Sequence, residues 1–235
     1  MIDLKKCCGL LACLTLLSIP LNRVLASEVS KIVFLGDSIT AGYGLDPEAA
    51  YPALLQKKIN ARQLPYTVIN AGVSGDTTAG GLRRINWVLR GSEPEIVVVA
   101  LGGNDGLRGL PVEQTRENLS KIIDRIRSVR PESKILLAGM RMPESMGRDY
   151  SEQFFASFNK VAKEKKVALL PFLLEGVGGE PAMNQNDQIH PNAEGQKKIA
   201  DTVWQHLEPW LDKDGSTLRG QSSENRSRML KFNAL

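Results

Sequence analysis

Two short segments, far apart in the sequence, carry side chains that could together activate a hydroxyl group. The first is Gly36-Asp37-Ser38-Ile39-Thr40 and the second is Asp187-Gln188-Ile189-His190-Pro191. A serine hydroxyl becomes a good nucleophile only when a histidine accepts its proton, and a carboxylate then fixes the histidine tautomer and stabilises its positive charge. We therefore predict a serine hydrolase with Ser38 as nucleophile, His190 as base and Asp187 as the carboxylate that orients the base.

The choice of base is narrow, because the sequence contains only two histidines, His190 and His206. The residue before a proline is disfavoured in helical geometry, so we expect His190, which precedes Pro191, to lie on a loop. His206 falls in a pattern typical of a helix surface, and we assign it no role. A catalytic zinc site uses three protein ligands. Asp187 and His190 are too few for one, so we expect neither a metal nor another cofactor.

Two glycine-rich turns could supply hydrogen-bond donors to the negative oxygen that forms during acyl transfer. Residues 70–77 lead into a helical pattern, and Gly75 among them can offer a free backbone N–H. Residues 101–105 form the second turn, where Asn104 can offer its side-chain amide. The Ser38 N–H would be a third donor, and each donor of this kind contributes roughly 10²- to 10³-fold to turnover. The predicted oxyanion hole is therefore Ser38, Gly75 and Asn104.

Apolar runs of strand length alternate along the chain with helical patterns. The runs are nearly continuous, which is typical of parallel strands that are covered on both faces. The predicted strands are Lys31–Gly36, Tyr66–Ala71, Glu95–Gly102, Lys134–Met140 and Val167–Pro171. The predicted helices are Pro47–Arg62, Thr78–Arg90, Val112–Val129, Ser151–Lys165 and Ala193–Leu211. This order predicts an α/β fold, a flavodoxin-like three-layer α/β/α sandwich with a five-stranded parallel sheet. Ligands of such folds bind outside the carboxyl ends of the strands, where the candidate residues fall.

The segment that follows the third strand could also shape a substrate groove. Gly106 and Gly109 bracket two residues there, so we expect Asn104–Pro111 to be a loop with the backbone freedom to form the mobile wall of such a groove. Three methionines downstream are expected to pack rather than to recognise substrate, namely Met140, Met142 and Met146.

The first 26 residues have the pattern of a targeting segment. They begin with a basic stretch, continue with the uncharged run Cys7–Leu21 and end with the small-residue exit Val24-Leu25-Ala26. This predicts a signal peptide over residues 1–26, cleaved after Ala26. The uncharged run is shorter than the roughly 18 apolar residues of a membrane span, and polar residues and a proline interrupt it. A lipoprotein anchored at Cys13 remains the alternative.

Removing that segment changes the composition of the chain in two useful ways. All three cysteines lie within it, so the exported chain would contain neither a disulfide nor a thiol nucleophile. Three basic residues and one acidic residue also leave with it, which lowers the net charge from its value of +4 for the full chain. So small a net charge gives no indication of nucleic-acid binding.

Residues 27–211 suffice for one hydrolase domain. Residues 212–235 are locally basic and poor in large apolar groups, so we expect a disordered tail. We expect an exported monomer, periplasmic or secreted, without a stable membrane span.

The four segments described above resemble the conserved blocks of the SGNH hydrolases, also called GDSL lipases and esterases. That family carries a serine in Gly-Asp-Ser, a glycine, an asparagine in Gly-x-Asn-Asp and an Asp-x-x-His-Pro pair. All four blocks occur here, in that order, between Lys31 and Leu211. In addition, Gly103–Gly109 and Leu169–Phe172 are similar to the periplasmic thioesterase, lysophospholipase and arylesterase branch.

The resemblance implies both an activity and a set of roles. The chain would cleave carboxylic esters and acyl thioesters, and lysophospholipids among them, through an acyl-enzyme. Ser38 would be the nucleophile, His190 the base and later the acid, and Asp187 its orienter. Ser38, Gly75 and Asn104 would form the oxyanion hole.

Other interpretations of the same residues remain. A carbohydrate O-acetyl esterase on the same fold would use an identical site. A flavodoxin-like module that binds an anion or nucleotide would use only the turn after the first strand, and it leaves Asp187 and His190 unexplained. The α/β-hydrolase elbow requires Gly-x-Ser-x-Gly, and Thr40 stands where its second glycine would be.

Overall fold

A computed structural model describes residues 29–211 of the chain. The predicted signal peptide at residues 1–26, the alternative anchor at Cys13 and the predicted tail at residues 212–235 lie outside the described residues.

Five parallel strands form one sheet in the order β2-β1-β3-β4-β5. The strands are β1 (Ser30–Gly36), β2 (Tyr66–Gly72), β3 (Ile96–Ala100), β4 (Lys134–Ala138) and β5 (Ala168–Leu170). The register aligns Gly36 with both Gly72 and Ala100, so the carboxyl ends of β2, β1 and β3 lie level with one another. The predicted fold class is confirmed.

Seven α-helices accompany these strands within residues 29–211. They are α1 (Ser38–Ala41), α2 (Tyr51–Ala61), α3 (Thr78–Ser92), α4 (Gly103–Leu107), α5 (Val112–Val129), α6 (Arg148–Lys165) and α7 (Ala193–Leu211). Short 3₁₀ turns lie at Pro47–Ala49, Glu144–Met146 and Pro181–Met183. Helix α5 packs between α3 and α6, whereas α2 packs on α7. No helix in this part of the chain is both long and apolar enough to cross a membrane.

The core lies on both faces of the sheet. Val97, Val98 and Val99 are consecutive in β3 and each is fully buried. Because neighbouring residues of a strand point to opposite faces, this burial requires a covering layer on each side. On α5 the apolar residues that recur at the helical spacing are buried, namely Leu119, Ile122, Ile123 and Ile126.

The boundaries differ from prediction where backbone geometry, rather than hydrophobicity, sets them. The third strand ends at Ala100 rather than Gly102, since Gly102 has a φ of 118° and leaves the extended region. The helix predicted from Pro47 is a 3₁₀ turn followed by α2, because Ala50 between them is extended. Helix α6 begins three residues earlier than predicted, directly after Gly147.

Two short helices were not predicted, and both begin at the carboxyl end of a strand. Helix α1 follows β1 and α4 follows β3. Helices of four and five residues are too short to show a 3.6-residue period in the sequence. The prediction that Asn104–Pro111 is a loop is therefore wrong for its first half, since Asn104 to Leu107 are helical.

Candidate active site

Ser38 lies at the first position of α1, immediately beyond β1. The side chain of Asp37 caps this helix, with its Oδ1 accepting a hydrogen bond from the Ile39 N–H at 3.0 Å. Gly42, with a φ of 75°, ends the helix after one turn. Gly36 has no room for a side chain, because a Cβ there would overlap Thr40. The tight turn places Ser38 at the carboxyl edge of the sheet, only 8% exposed.

The histidine loop brings the predicted base and its carboxylate to this serine. His190 Nε2 lies 3.0 Å from Ser38 Oγ, and His190 Nδ1 lies 2.6 Å from Asp187 Oδ2. The Nδ1 contact with a carboxylate favours the tautomer that carries its proton on Nδ1. Nε2 is then the acceptor that faces the serine hydroxyl.

Asp187 is held ionised by the turn that surrounds it. Its Oδ1 accepts hydrogen bonds from the N–H groups of Ile189 and His190, each at 2.9 Å. The His190 N–H, followed by the His190 ring and the Ile189 N–H, lowers the pKa of Asp187 to about 2. The turn requires a φ of 58° at Gln188. The carboxylate therefore remains negative throughout the physiological pH range and can stabilise a positively charged His190.

Two glutamine side chains fasten the histidine loop to the segment that carries the nucleophile. Gln185 Nε2 donates to the Tyr43 carbonyl at 2.7 Å and to the Pro191 carbonyl at 3.1 Å. Gln196, on α7, donates from Nε2 to the Ile39 carbonyl at 3.1 Å and accepts from the Tyr51 N–H at 2.8 Å. Sequence reasoning missed both glutamines, because no local pattern signals a hydrogen bond to a distant backbone carbonyl.

The three predicted oxyanion donors lie along the ends of β1, β2 and β3. Gly75 adopts a φ of 79°, which favours glycine. The backbone N–H groups of Ser38 and Gly75 have no acceptor among the described residues. The Asn104 side-chain amide donates to the Asp76 carbonyl at 2.9 Å and lies 3.5 Å from Asp37 Oδ2. An amide nitrogen carries two hydrogens. One is used in the short bond to Asp76, and the other faces Asp37 Oδ2 at the longer distance of 3.5 Å, so a substrate oxygen would have to replace this weaker contact.

A buried carboxylate next to Asn104 was also missed. Asp105 is 1% exposed and accepts hydrogen bonds from the Thr78 N–H at 2.8 Å and the Thr78 hydroxyl at 2.5 Å. Asn118, on α5, donates to that same hydroxyl at 3.1 Å. This network joins α4, which carries Asn104, to the start of α3 just beyond Gly75. In the sequence, the only sign of this network was that Asp105 directly follows Asn104.

A second buried carboxyl group, that of Asp37, lies beside the nucleophile. It is 1% exposed, and this burial raises its pKa to about 6 despite the hydrogen bond from Ile39. Its short side chain serves as the cap of α1, and its other oxygen faces Asn104. Asp37 and Asp187 thus flank Ser38 with opposite shifts in pKa.

A mostly apolar cleft of about 450 Å³ opens beside these residues. The chain neighbours of the nucleophile, the asparagine and the histidine all line it, namely Ile39, Gly103 and Ile189. Further apolar side chains complete the walls: Leu107, Met140, Met142, Phe172 and Leu174. Met140 and Met142 pack in and against the core as expected, and both also line this cleft, whereas Met146 does not line it.

Comparison with known proteins gives a consistent set of matches. The profile of the GDSL-like Lipase/Acylhydrolase family matches residues 34–198. The chain is 42% identical over 185 residues to the esterase TesA of Pseudomonas aeruginosa, covering 79% of this chain and 91% of that protein. It is 41% identical over 189 residues to the thioesterase 1/protease 1/lysophospholipase L1 of Escherichia coli, covering 80% of this chain and 88% of that protein.

Solved structures extend the similarity to three dimensions. The crystal structure of the psychrotrophic esterase EstA from Pseudoalteromonas sp., inhibited by monoethylphosphonate, matches with a TM-score of 0.74 and 34% identity. The match covers 78% of this chain and 100% of that one. The similarity in three dimensions therefore extends over most of this chain and the whole of that structure.

Proposed function

Since the chain belongs to the GDSL-like lipase/acylhydrolase family and is a carboxylic ester hydrolase, we propose that it cleaves acyl esters and thioesters through an acyl-enzyme formed on Ser38. One observation carries the assignment of roles. Asp187, His190 and Ser38 form a continuous series of contacts, at 2.6 and 3.0 Å, at the mouth of an apolar cleft.

The geometry supports the following course of acylation. The Ser38 hydroxyl oxygen attacks the carbonyl carbon of the substrate while its proton passes to His190 Nε2. The ionised Asp187 stabilises the imidazolium and holds its ring in place. The carbonyl oxygen becomes negative and accepts hydrogen bonds from the N–H groups of Ser38 and Gly75 and from the Asn104 amide. His190 then gives its proton to the departing alcohol or thiol.

Deacylation repeats these steps with water in place of the serine hydroxyl. His190 accepts a proton from the water, and the hydroxide so generated attacks the acyl-enzyme carbonyl. The same three donors stabilise the second oxyanion. Proton return from His190 to Ser38 Oγ releases the carboxylic acid and restores the resting enzyme.

The cleft suggests which part of the substrate it binds. Its walls are mainly apolar and include flexible methionine side chains, which adapt to chains of different shape. We assign it to the acyl chain, with Leu107 on one side and Ile189 on the other. Relatives named as a thioesterase and a lysophospholipase make acyl thioesters and lysophospholipids the natural candidates for its substrates.

We also propose that the hydrolase domain, residues 27–211, acts as a monomer after export and cleavage of residues 1–26. The basic start, the uncharged run and the small-residue exit of that segment support export. N-terminal sequencing of the protein recovered from the periplasm or medium checks this proposal. A mature chain that begins at Ser27 is expected, whereas a lipid-modified Cys13 would favour the anchored alternative.

A hydrolysis panel tests the proposed activity. It contains 4-nitrophenyl esters from acetyl to decanoyl, octanoyl-CoA and lysophosphatidylcholine. We expect kcat/KM to rise with acyl length until the cleft is filled, by at most about 0.8 kcal/mol, or roughly fourfold, for each buried methylene. Cleavage of acetyl esters alone, with no gain up to hexanoyl, would instead support a carbohydrate O-acetyl esterase.

A further inference from the structure

We infer that Arg84, on the second turn of α3, is a positioning residue for the oxyanion hole and also neutralises a carboxylate beside it. This inference rests on the proposed function, because it concerns how Ser38, Gly75 and Asn104 are held together. Within residues 29–211, no hydrogen bond or ion pair joins Arg84 to the side chains of Ser38, His190 or Asp187. It acts through two hydrogen bonds made by one guanidinium group, whose side chain is only 19% exposed.

The first hydrogen bond reaches the strand that leads to the nucleophile. Arg84 Nη2 donates to the carbonyl of Gly36 at 2.9 Å. Gly36 is the last residue of β1 and stands two positions before Ser38. The same carbonyl also accepts the N–H of Val73 at 3.0 Å, so it is the point where the nucleophile segment meets the turn after β2.

The second hydrogen bond reaches the turn that carries Gly75. Arg84 Nε donates to Asp76 Oδ2 at 2.7 Å, and the Asp76 side chain is 11% exposed. The carbonyl of Asp76 in turn accepts the Asn104 amide. Arg84 thus connects the backbone before Ser38 with the residue after Gly75, whose carbonyl orients Asn104. One side chain joins the supports of all three proposed donors.

Charge gives Arg84 a second effect on the same site. An oxyanion develops next to Gly75, and an unpaired carboxylate at Asp76 would disfavour it. The negative charge of Asp76 already reaches the site, because it adds to the effect of burial in raising the pKa of Asp37. Arg84 pairs with Asp76 directly and so reduces this repulsion.

The neighbouring arginine offers a matched control. Arg83 is on the same helix and is exposed, and no ion pair or side-chain hydrogen bond joins it to the rest of residues 29–211. Replacing it removes the same charge from the same helix without touching Gly36 or Asp76. Any effect specific to Arg84 must therefore come from its contacts.

The test compares Arg84→Gln, Arg84→Lys and Arg83→Gln with the wild type on 4-nitrophenyl hexanoate. We expect Arg84→Gln to lower kcat by roughly 10- to 10²-fold with KM changed by less than about threefold, since the effect falls on transition-state binding. The rate of labelling by a 4-nitrophenyl alkylphosphonate should fall in parallel. Arg84→Lys keeps the charge but not both contacts, so its loss should be smaller. Arg83→Gln should match the wild type.

Rescue separates the charge effect from a general loss of structure. We expect the double variant Arg84→Gln/Asp76→Asn to regain several-fold in kcat over Arg84→Gln, because the uncompensated carboxylate is gone. A merely structural role of Arg84 would give no rescue and would overturn the neutralising role. Should Arg84→Gln not fold, as judged by circular dichroism, the kcat values of Arg84→Lys and Asp76→Asn are compared with that of the wild type instead.

Two outcomes distinguish failure of this inference from failure of the proposed function. If Ser38→Ala is inactive while Arg84→Gln keeps wild-type kcat, or loses only KM, the positioning role is wrong and the proposed function stands. If Ser38→Ala keeps the wild-type activity, the proposed site is wrong and the inference fails with it.

Discussion

The two sides of Ser38 handle a carboxyl group in opposite ways. On the histidine side, the Asp187 side chain is 40% exposed and receives two backbone N–H groups, which help to lower its pKa to about 2. On the oxyanion side, Asp37 is 1% exposed and burial raises its pKa to about 6. The carboxylate that must stay negative is solvated and hydrogen-bonded. Asp37, which caps a helix beside the proposed oxyanion site, is buried, and burial makes its negative charge unfavourable.

The supports of the two sides differ as well. Neutral glutamine side chains, Gln185 and Gln196, hold the histidine loop to backbone carbonyls. On the oxyanion side, an ion pair through Arg84 and a buried network around Asp105 hold the turns. In the proposed mechanism, proton transfer depends on one imidazole, whereas oxyanion stabilisation is shared by three donors. We therefore expect substitutions on the histidine side to abolish turnover and those on the oxyanion side to reduce it by degrees.

The largest effect should come from His190→Ala. Without the imidazole no group accepts the Ser38 proton, and kcat should fall by about 10⁶-fold, as for removal of a base from other triads. Steady-state hydrolysis of 4-nitrophenyl hexanoate measures it. His206→Ala, the other histidine of the chain, is the control and should keep full activity. A His190→Ala enzyme with more than roughly a tenth of the wild-type kcat would exclude His190 as the base.

Asp187→Asn should have the next largest effect. An asparagine can present its amide to Nδ1 and so favour the wrong tautomer, and the resulting loss in kcat should be about 10⁴-fold. Asp201→Asn, an exposed residue of α7 paired with Lys58, serves as the control. Activity within about tenfold of the wild type would mean that the contact between Asp187 and His190 is structural only.

Asn104→Ala should reduce activity less than either change on the histidine side. We expect a loss of roughly 10²- to 10³-fold in kcat with little change in KM, because the amide acts mainly on the transition state. Asn60→Ala, at an exposed site on α2, is the matched control. A defect confined to KM, or a loss as large as that of His190→Ala, would contradict the difference proposed between the two sides.

The smallest effect concerns stability rather than turnover, and it isolates Asp37. The pKa of Asp37 is about 6 in the folded state, above the value of about 3.9 in an unfolded chain. Its contribution to stability is thus present in full below about pH 4 and is lost as the pH rises through about 6. Asp37→Asn should remove this loss.

Urea unfolding of wild type and Asp37→Asn between pH 4 and pH 8 measures the effect. The difference in the free energy of unfolding should shift in favour of the variant as the pH rises through that window. Two parallel pH profiles would show that the buried environment of Asp37 does not raise its pKa.

The positions of the strands, and the contacts that join Asp187, His190 and Ser38, could be predicted because each has a local signal. The strands are continuous apolar runs, Ser38 lies in a short motif directly after β1, and His190 lies in a short motif on the loop before α7. The supports of the site have no such signal. Gln196 binds the Ile39 carbonyl across 157 positions, and Arg84 binds Gly36 across 48. Long-range hydrogen bonds to backbone atoms leave no periodicity in the sequence.

The short helices and the cleft escaped prediction for a related reason. Helices α1 and α4 contain one turn each, and the glycines around them, such as Gly42 and Gly102, define them by backbone geometry rather than by hydrophobic spacing. The cleft is assembled from four separate parts of the chain. Residues such as Met140 and Met142 cannot be assigned to its wall until the sheet has placed them there.

The most direct test of the central claim is to locate the site of phosphonylation. The enzyme is treated with a 4-nitrophenyl alkylphosphonate, digested with trypsin and analysed by mass spectrometry. Ser38 is the only serine in the tryptic peptide 32–57. We expect a single adduct on Ser38, formed as activity is lost, absent from Ser38→Ala and slowed roughly 10²- to 10³-fold in Asn104→Ala. An adduct on another residue, or a Ser38→Ala enzyme that is still labelled and active, would contradict the assignment of Ser38 as the nucleophile.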